Sequence, residues 1–148
     1  MFKKIIVGLD GSDSSETSLR IGCELAQQSG GSLTLVHVPH AETAAFVVGA
    51  VAGYRAAVSN PTFEDIETAG QKVMDAAIAT AQKAGCKSAK THMPHGDAAT
   101  EILRHADDIG ADLIITGRRG LGGIASLVMG STTQQINHHA RCACLSVI

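Results

Sequence analysis

Two glycine-bearing stretches hold the residue types and spacings that could do chemistry in this 148-residue chain. The first is Gly117-Arg118-Arg119-Gly120, followed after nine residues by Gly130-Ser131-Thr132. Glycine has no Cβ, so a backbone built this way can approach a phosphate closely. Ser131 and the free amides of a following helix would add donors at that helix's positive end. Arg118 and Arg119 supply charge to neutralise an anion. The second stretch is Asp10-Gly11-Ser12-Asp13-Ser14, whose Asp10 closes a short apolar run. Both stretches also have a plainer reading. Glycines serve as turns, and Asp-Gly-Ser at a strand end is an ordinary turn in which the carboxylate fixes the loop. A loop that follows a strand and ends at a capped helix favours the anion site.

The chemistry of fast turnover is not legible. No Gly-x-x-x-x-Gly-Lys-Ser/Thr segment is present, so there is no lysine-bearing phosphate loop of the usual kind. There is no evident base to activate water and no convincing carboxylate pair for two metals, so any hydrolysis should be slow and no catalytic residue is assigned. His37, His40, His92, His95, His105, His138 and His139 show no spaced ligand set, and no side-chain metal site is assigned. Cys23, Cys86, Cys142 and Cys144 fit neither a disulfide framework nor a zinc knuckle and read as small apolar thiols.

Composition narrows the partners. The formal charge is -2, with Lys and Arg scattered rather than striped, which argues against nucleic acid. The apolar run Ile5 to Leu9 is too short for a signal sequence, so the expected location is the cytoplasm. Ala44 to Ala52 is about half of the roughly 20 residues that span a bilayer, so no membrane insertion is expected.

The elements that must position the two stretches alternate along the chain. Lys4 to Leu9, Ser32 to Val38, Ser88 to Met93, Leu113 to Thr116 and Ala143 to Ile148 read as strands, several nearly continuous in Val, Ile and Leu as buried parallel strands require. Helices are read over Ser14 to Ser29, Glu64 to Ala84, Asp97 to Ile109 and Thr132 to about Ala140, with apolar stripes such as Ala69, Val73, Ala77 and Ala81. Asp13 with Glu16, and Ser131 with Gln134, have capping-box spacing. Such alternation implies an α/β fold, with right-handed crossovers and a parallel sheet covered on both faces. Ligands in these sheets bind beyond the strand C-termini where strand order reverses, so the loops after the first and fourth strands are the places to look. His40 to Phe63 interrupts the alternation as a helix, a lid or a packing surface.

The spacing Gly-x-x-Gly-x9-Gly-Ser, the opening Ile6-Val7-Gly8-Leu9-Asp10-Gly11-Ser12 and the strand Leu33 to Val38 resemble the universal stress protein family over the whole chain, residues 1–148, taken as a single domain. The resemblance implies an open five-stranded parallel sheet of order 3-2-1-4-5, Rossmann-like and similar to adenine nucleotide alpha hydrolases. It also implies ATP at the switch point, accompanied by Mg2+ or Mn2+, and a homodimer or higher oligomer built at the C-terminal strand. Carried over residue by residue, adenosine contacts fall on Asp10 and Val38, phosphate and ribose contacts on Gly117, Arg119, Gly120, Gly130, Ser131 and Thr132, and Thr116 joins them as a nucleotide-binding residue. Arg119 departs from the polar or histidine residue common at its position. The function implied is regulatory and not enzymatic beyond slow hydrolysis, a stress-response protein reporting nucleotide state to an effector such as a transporter. Two other readings stand beside it. Gly11-Ser12-Asp13-Ser14 partly matches the loop of ATP pyrophosphatases, which cleave between the α- and β-phosphates, but lacks its leading Ser-Gly-Gly. An interaction module without nucleotide is the third.

Overall fold

The computed structural model describes residues 1–52, 60–121 and 129–148. Along the chain run β1 (Lys4–Leu9), α1 (Asp13–Ser29), β2 (Ser32–His37), α2 (Ala41–Ala52), α3 (Phe63–Lys83), β3 (Lys90–His92), α4 (Ala98–Ile109), β4 (Leu113–Gly117), α5 (Ser131–His139) and β5 (Ala143–Val147). The strands pair in parallel in the order β3-β2-β1-β4-β5. Strand order reverses between β1 and β4, and both of the loops singled out above leave the sheet there.

The alternation of side chains along each strand explains why both faces are covered. Ile5, Val7 and Leu9 of β1, with Leu33 and Leu35 of β2, pack under Leu19, Cys23 and Ala26 of α1 and Met74, Ala77 and Ala81 of α3. Their neighbours Ile6, Val36 and Ile114 point the other way, against Ala99, Ile102 and Ala106 of α4 and Ile136 of α5. A two-residue period that is apolar in both phases reads as an unbroken apolar run, which is how the central strands are written. At the edges that pattern fades. β3 pairs over three residues only, and β5 alternates exposed with half-buried residues before Val147.

Local chemistry sets where the helices start, and it corrects both expected capping boxes. α1 is capped by Ser12, whose hydroxyl accepts from the Ser15 amide at 3.3 Å, so Asp13 is the first helical residue. Glu16 instead pairs with Arg20 at 2.7 Å. α5 begins one residue earlier than expected, with Gly130 in extended conformation at its N-cap and no side-chain cap. The physical reason is that the Gly130 amide donates to the Arg118 carbonyl at 2.8 Å, which fixes the entry there, while the Gln134 amide bonds the Gly130 carbonyl. The capping box that does form is Thr62 with Asp65, opening α3. Of the insertion His40 to Phe63, Ala41–Ala52 form α2, which packs on α3, and residues 53–59 lie outside the described residues. Ile66, one turn before Ala69, is only half-buried, and the buried stripe of α3 begins at Ala69. No described helix is long and apolar enough to cross a membrane.

Candidate functional site

A cavity of about 530 Å3 opens above the C-terminal ends of β1, β2 and β4. Its size lies within the roughly 300–1,000 Å3 usual for small-molecule sites. Gly8 to Asp10 end β1 on one side and Thr116 and Gly117 end β4 on the other, with Val38 just past β2. The loop residues Arg119 to Leu121 and the first turn of α5, Gly130 to Thr133, form the rim. Ala98 and Ile102, one turn apart at the start of α4, supply an apolar wall, and Ser15 of α1 lies below.

The β1–α1 turn is held by its own polar groups. The Ser12 amide donates to Asp10 Oδ1 at 2.9 Å and the Ser12 hydroxyl to the same oxygen at 2.6 Å. The other carboxylate oxygen, Oδ2, accepts the Leu121 amide at 3.1 Å, so Asp10 reaches across the cavity floor to the loop after β4. That loop passes so close that a Cβ on Gly120 would stand 2.5 Å from Asp10 Oδ2. A side chain there would have to push the Asp10 carboxylate off its bonds to Ser12 and Leu121.

The two ends of the β4–α5 connection are stitched together. The Gly130 amide bonds the Arg118 carbonyl, and Thr133 Oγ1 donates to the Gly117 carbonyl at 2.7 Å. The Arg118 amide donates to the Val147 carbonyl at 2.6 Å, tying the loop to the end of β5. The amides of the first turn of a helix have no partner within it and carry its positive end. Those of Ser131, Thr132 and Thr133 stand at the cavity rim, which makes this corner a place for an anion. Residues 122–128, inside the spacing between the glycine pairs, lie outside the described residues.

Behind the cavity floor sits His37, 1% exposed at the end of β2. Its Nδ1 is 2.8 Å from the Leu9 carbonyl, which can only accept, so the proton resides on Nδ1 and the ring supports the backbone next to Asp10. Burial holds the His37 pKa below the usual histidine value, the bond to Leu9 opposing it in part, so the ring is neutral near pH 7.

All nine residues named from the sequence, Asp10, Val38, Thr116, Gly117, Arg119, Gly120, Gly130, Ser131 and Thr132, line this one cavity. Arg118 is not among the lining residues, although its charge was expected beside that of Arg119. Sequence reasoning missed His40 and Glu42 at the start of α2, Ala98 and Ile102 of α4, and Ser15 and Thr133. The signal for Ser15 and Ile102 was present, since each lies within about a turn of a helix start that follows a strand. Glu42 belongs to the insertion, where the sequence offered no register. Among the described residues there is no group of three or more His, Cys, Asp or Glu side chains placed to hold a metal ion.

This arrangement, a parallel sheet with a cavity at its switch point flanked by a glycine loop and a helix N-terminus, defines a Rossmann-like α/β fold. The chain belongs to the universal stress protein family, whose model matches residues 1–147. It is 29% identical over 150 residues to the universal stress protein YxiE of Bacillus subtilis, the match covering 99% of each chain. Among solved structures it resembles the universal stress protein of Archaeoglobus fulgidus in complex with dAMP, at TM-score 0.71 and 20% identity, over 99% of this chain and 98% of that one. A universal stress protein in complex with cAMP matches at TM-score 0.70 and 21% identity, over 99% and 96% of the two chains.

Proposed function

We propose that this chain binds ATP in the cavity and acts as a nucleotide-dependent regulator. The observation that carries the reading is the convergence of the β1 carboxylate, the glycine loop and the α5 N-terminus on one cavity of nucleotide size. The residues fit such a ligand. Rim amides and Arg119 suit the phosphates, and the apolar wall of Val38, Ala98 and Ile102 suits a base. Nucleotides held by the two structural relatives, dAMP and cAMP, support the class of ligand. Mg2+ or Mn2+ would be held chiefly by phosphate oxygens and water rather than by a protein cage. A cytoplasmic setting and an effector protein that reads the nucleotide state, a transporter being one kind, belong to the same reading.

Turnover on this reading is slow, well below the enzyme median of about 10 per second, because the carboxylate beside the glycine loop, Asp10, is already engaged by Ser12 and Leu121. The test is equilibrium dialysis with ATP and Mg2+, mass spectrometry of any copurifying ligand, and assay of phosphate, pyrophosphate and AMP release. Binding without fast release supports the regulator. Release in the ordinary enzyme range, abolished by a cavity mutation, overturns it, and pyrophosphate with AMP as products would favour the hydrolase reading. The partner surface belongs to the same reading as a homodimer through β5, an edge strand whose Leu145 is 37% exposed and whose residues carry no charge, proline or bulge. Leu145→Lys should shift the mass in light scattering toward the monomer, and a monomeric parent at micromolar concentration would remove the interface.

A further inference from the structure

We propose that Ser14 is a positioning residue that sets the phosphate-facing peptide between Arg119 and Gly120. The inference rests on the nucleotide reading above. Ser14 lies in the first turn of α1 and is not among the residues that line the cavity. Its hydroxyl donates to the Arg119 carbonyl at 2.6 Å, joining residues 105 positions apart in the chain. The Ser12 oxygen lies 3.2 Å away, but the Ser12 proton is taken by Asp10 Oδ1. The two hydroxyls therefore point their protons in different directions, Ser12 to the carboxylate and Ser14 to the loop.

A carbonyl and the amide that follows it belong to one planar trans unit, with the C=O and N–H pointing in opposite directions. Holding the Arg119 carbonyl against α1 therefore turns the Gly120 N–H away from α1. Among the described residues no acceptor takes that N–H, and the Gly120 nitrogen lies 3.8 Å from where a Cβ on Gly130 would be. The amide is thus presented beside the α5 N-terminus, where an anion would be met by donors from both sides. Two neighbours keep the grip short. A Cβ on Gly117 would collide with the Ser14 hydroxyl and backbone, so β4 leaves the sheet in direct contact with this serine. Asp10 holds the next amide along, that of Leu121. Without the Ser14 hydroxyl the Arg119–Gly120 peptide loses the bond that fixes its orientation, and the donor is weakened at the phosphate end while the base end keeps its walls.

Affinities for ATP and for adenosine, measured by calorimetry on the parent, Ser14→Ala and Ser14→Thr, with melting curves to confirm folding, test this. Ser14→Ala should weaken ATP about five- to tenfold, the size of one hydrogen bond, and leave adenosine within about twofold. Ser14→Thr, which keeps the hydroxyl, should restore ATP binding. A general loosening of the fold would weaken both ligands in the same proportion, and that result, or an unchanged ATP affinity in Ser14→Ala, overturns the proposal while leaving the nucleotide reading intact. A parent that binds neither ligand overturns both.

Discussion

The β1–α1 turn and the start of α5 face each other across the cavity and use their polar groups in opposite ways. In the turn from Asp10 to Ser15, carboxylate and hydroxyls are taken up by the protein itself, by Ser12, Leu121, Arg119 and the α1 cap. At α5, Gly130 caps without a side chain, and the Ser131 hydroxyl and first-turn amides are left at the rim. One side holds geometry, and the other leaves its donors uncommitted at the rim. A binding site needs both, since donors recognise only when something stiffer fixes where they point.

The largest expected effects come from glycines on the two sides, and they should differ in kind. Gly120→Val drives a branched side chain into Asp10, whose Oδ2 would lie 2.5 Å from the new Cβ, so ATP affinity should fall by more than about 100-fold, with a lower melting temperature as well. Gly130→Ser meets nothing closer than the Arg118 carbonyl at 3.6 Å and places a better cap on α5. It should keep or raise the melting temperature while reducing ATP affinity about tenfold through the lost close approach. Equal effects of the two changes on stability would erase the distinction between the sides.

A smaller effect probes the stitch between them. Thr133 is buried, 4% exposed, and its hydroxyl holds the Gly117 carbonyl. Thr133→Val leaves that carbonyl without its donor and should lower unfolding free energy by about 1–2 kcal/mol in a urea titration. No loss would mean that α5 is placed by Ile136 packing and the Gly130–Arg118 bond without this one.

The smallest effect separates the sides by pH. Because burial lowers the His37 pKa in the fold, the folded chain binds fewer protons than the unfolded one between the folded value and about 6.5. Its contribution to stability is complete above about pH 6.5 and declines as pH falls through that window. His105, also lowered by burial and by His92 beside it, slopes the same way, so His37→Asn should flatten the dependence without abolishing it. Acidification should speed amide exchange in residues 10–15, next to the Leu9 carbonyl that His37 supports, before it affects the first turn of α5.

The fold was legible because its central strands are apolar in both phases, as Ile5-Ile6-Val7 and Ile114-Ile115 are, and its helices are not. The edges were less so. β3, read as Ser88 to Met93, shortens to Lys90–His92 because its residues are largely exposed and pair on one side only. Cap positions failed where several capping residues are adjacent. Ser12, Asp13 and Ser14 are all able to start α1, and the choice falls to the one that Asp10 holds. The glycine loop and Asp10 were legible from spacing, whereas Glu42 and Ala98 reach the cavity through the packing of α2 and α4, which no local pattern encodes.

The place of β1 in the sheet has a consequence for how the chain acquires its structure. This strand comes before the other four in the sequence and ends in the middle, paired on one flank with β2 and on the other with β4. The Lys3 amide finds its acceptor, Asp112, only 109 positions later. Until that segment is made, the flank of Ile5 to Leu9 is an open apolar border, and closing it carries the loop entropy of most of the chain. Sheets assembled from such distant partners acquire their last order slowly and are vulnerable to self-association meanwhile. The same closure brings Asp10 to the loop beyond β4, so the cavity can exist only after the slowest pairing is done.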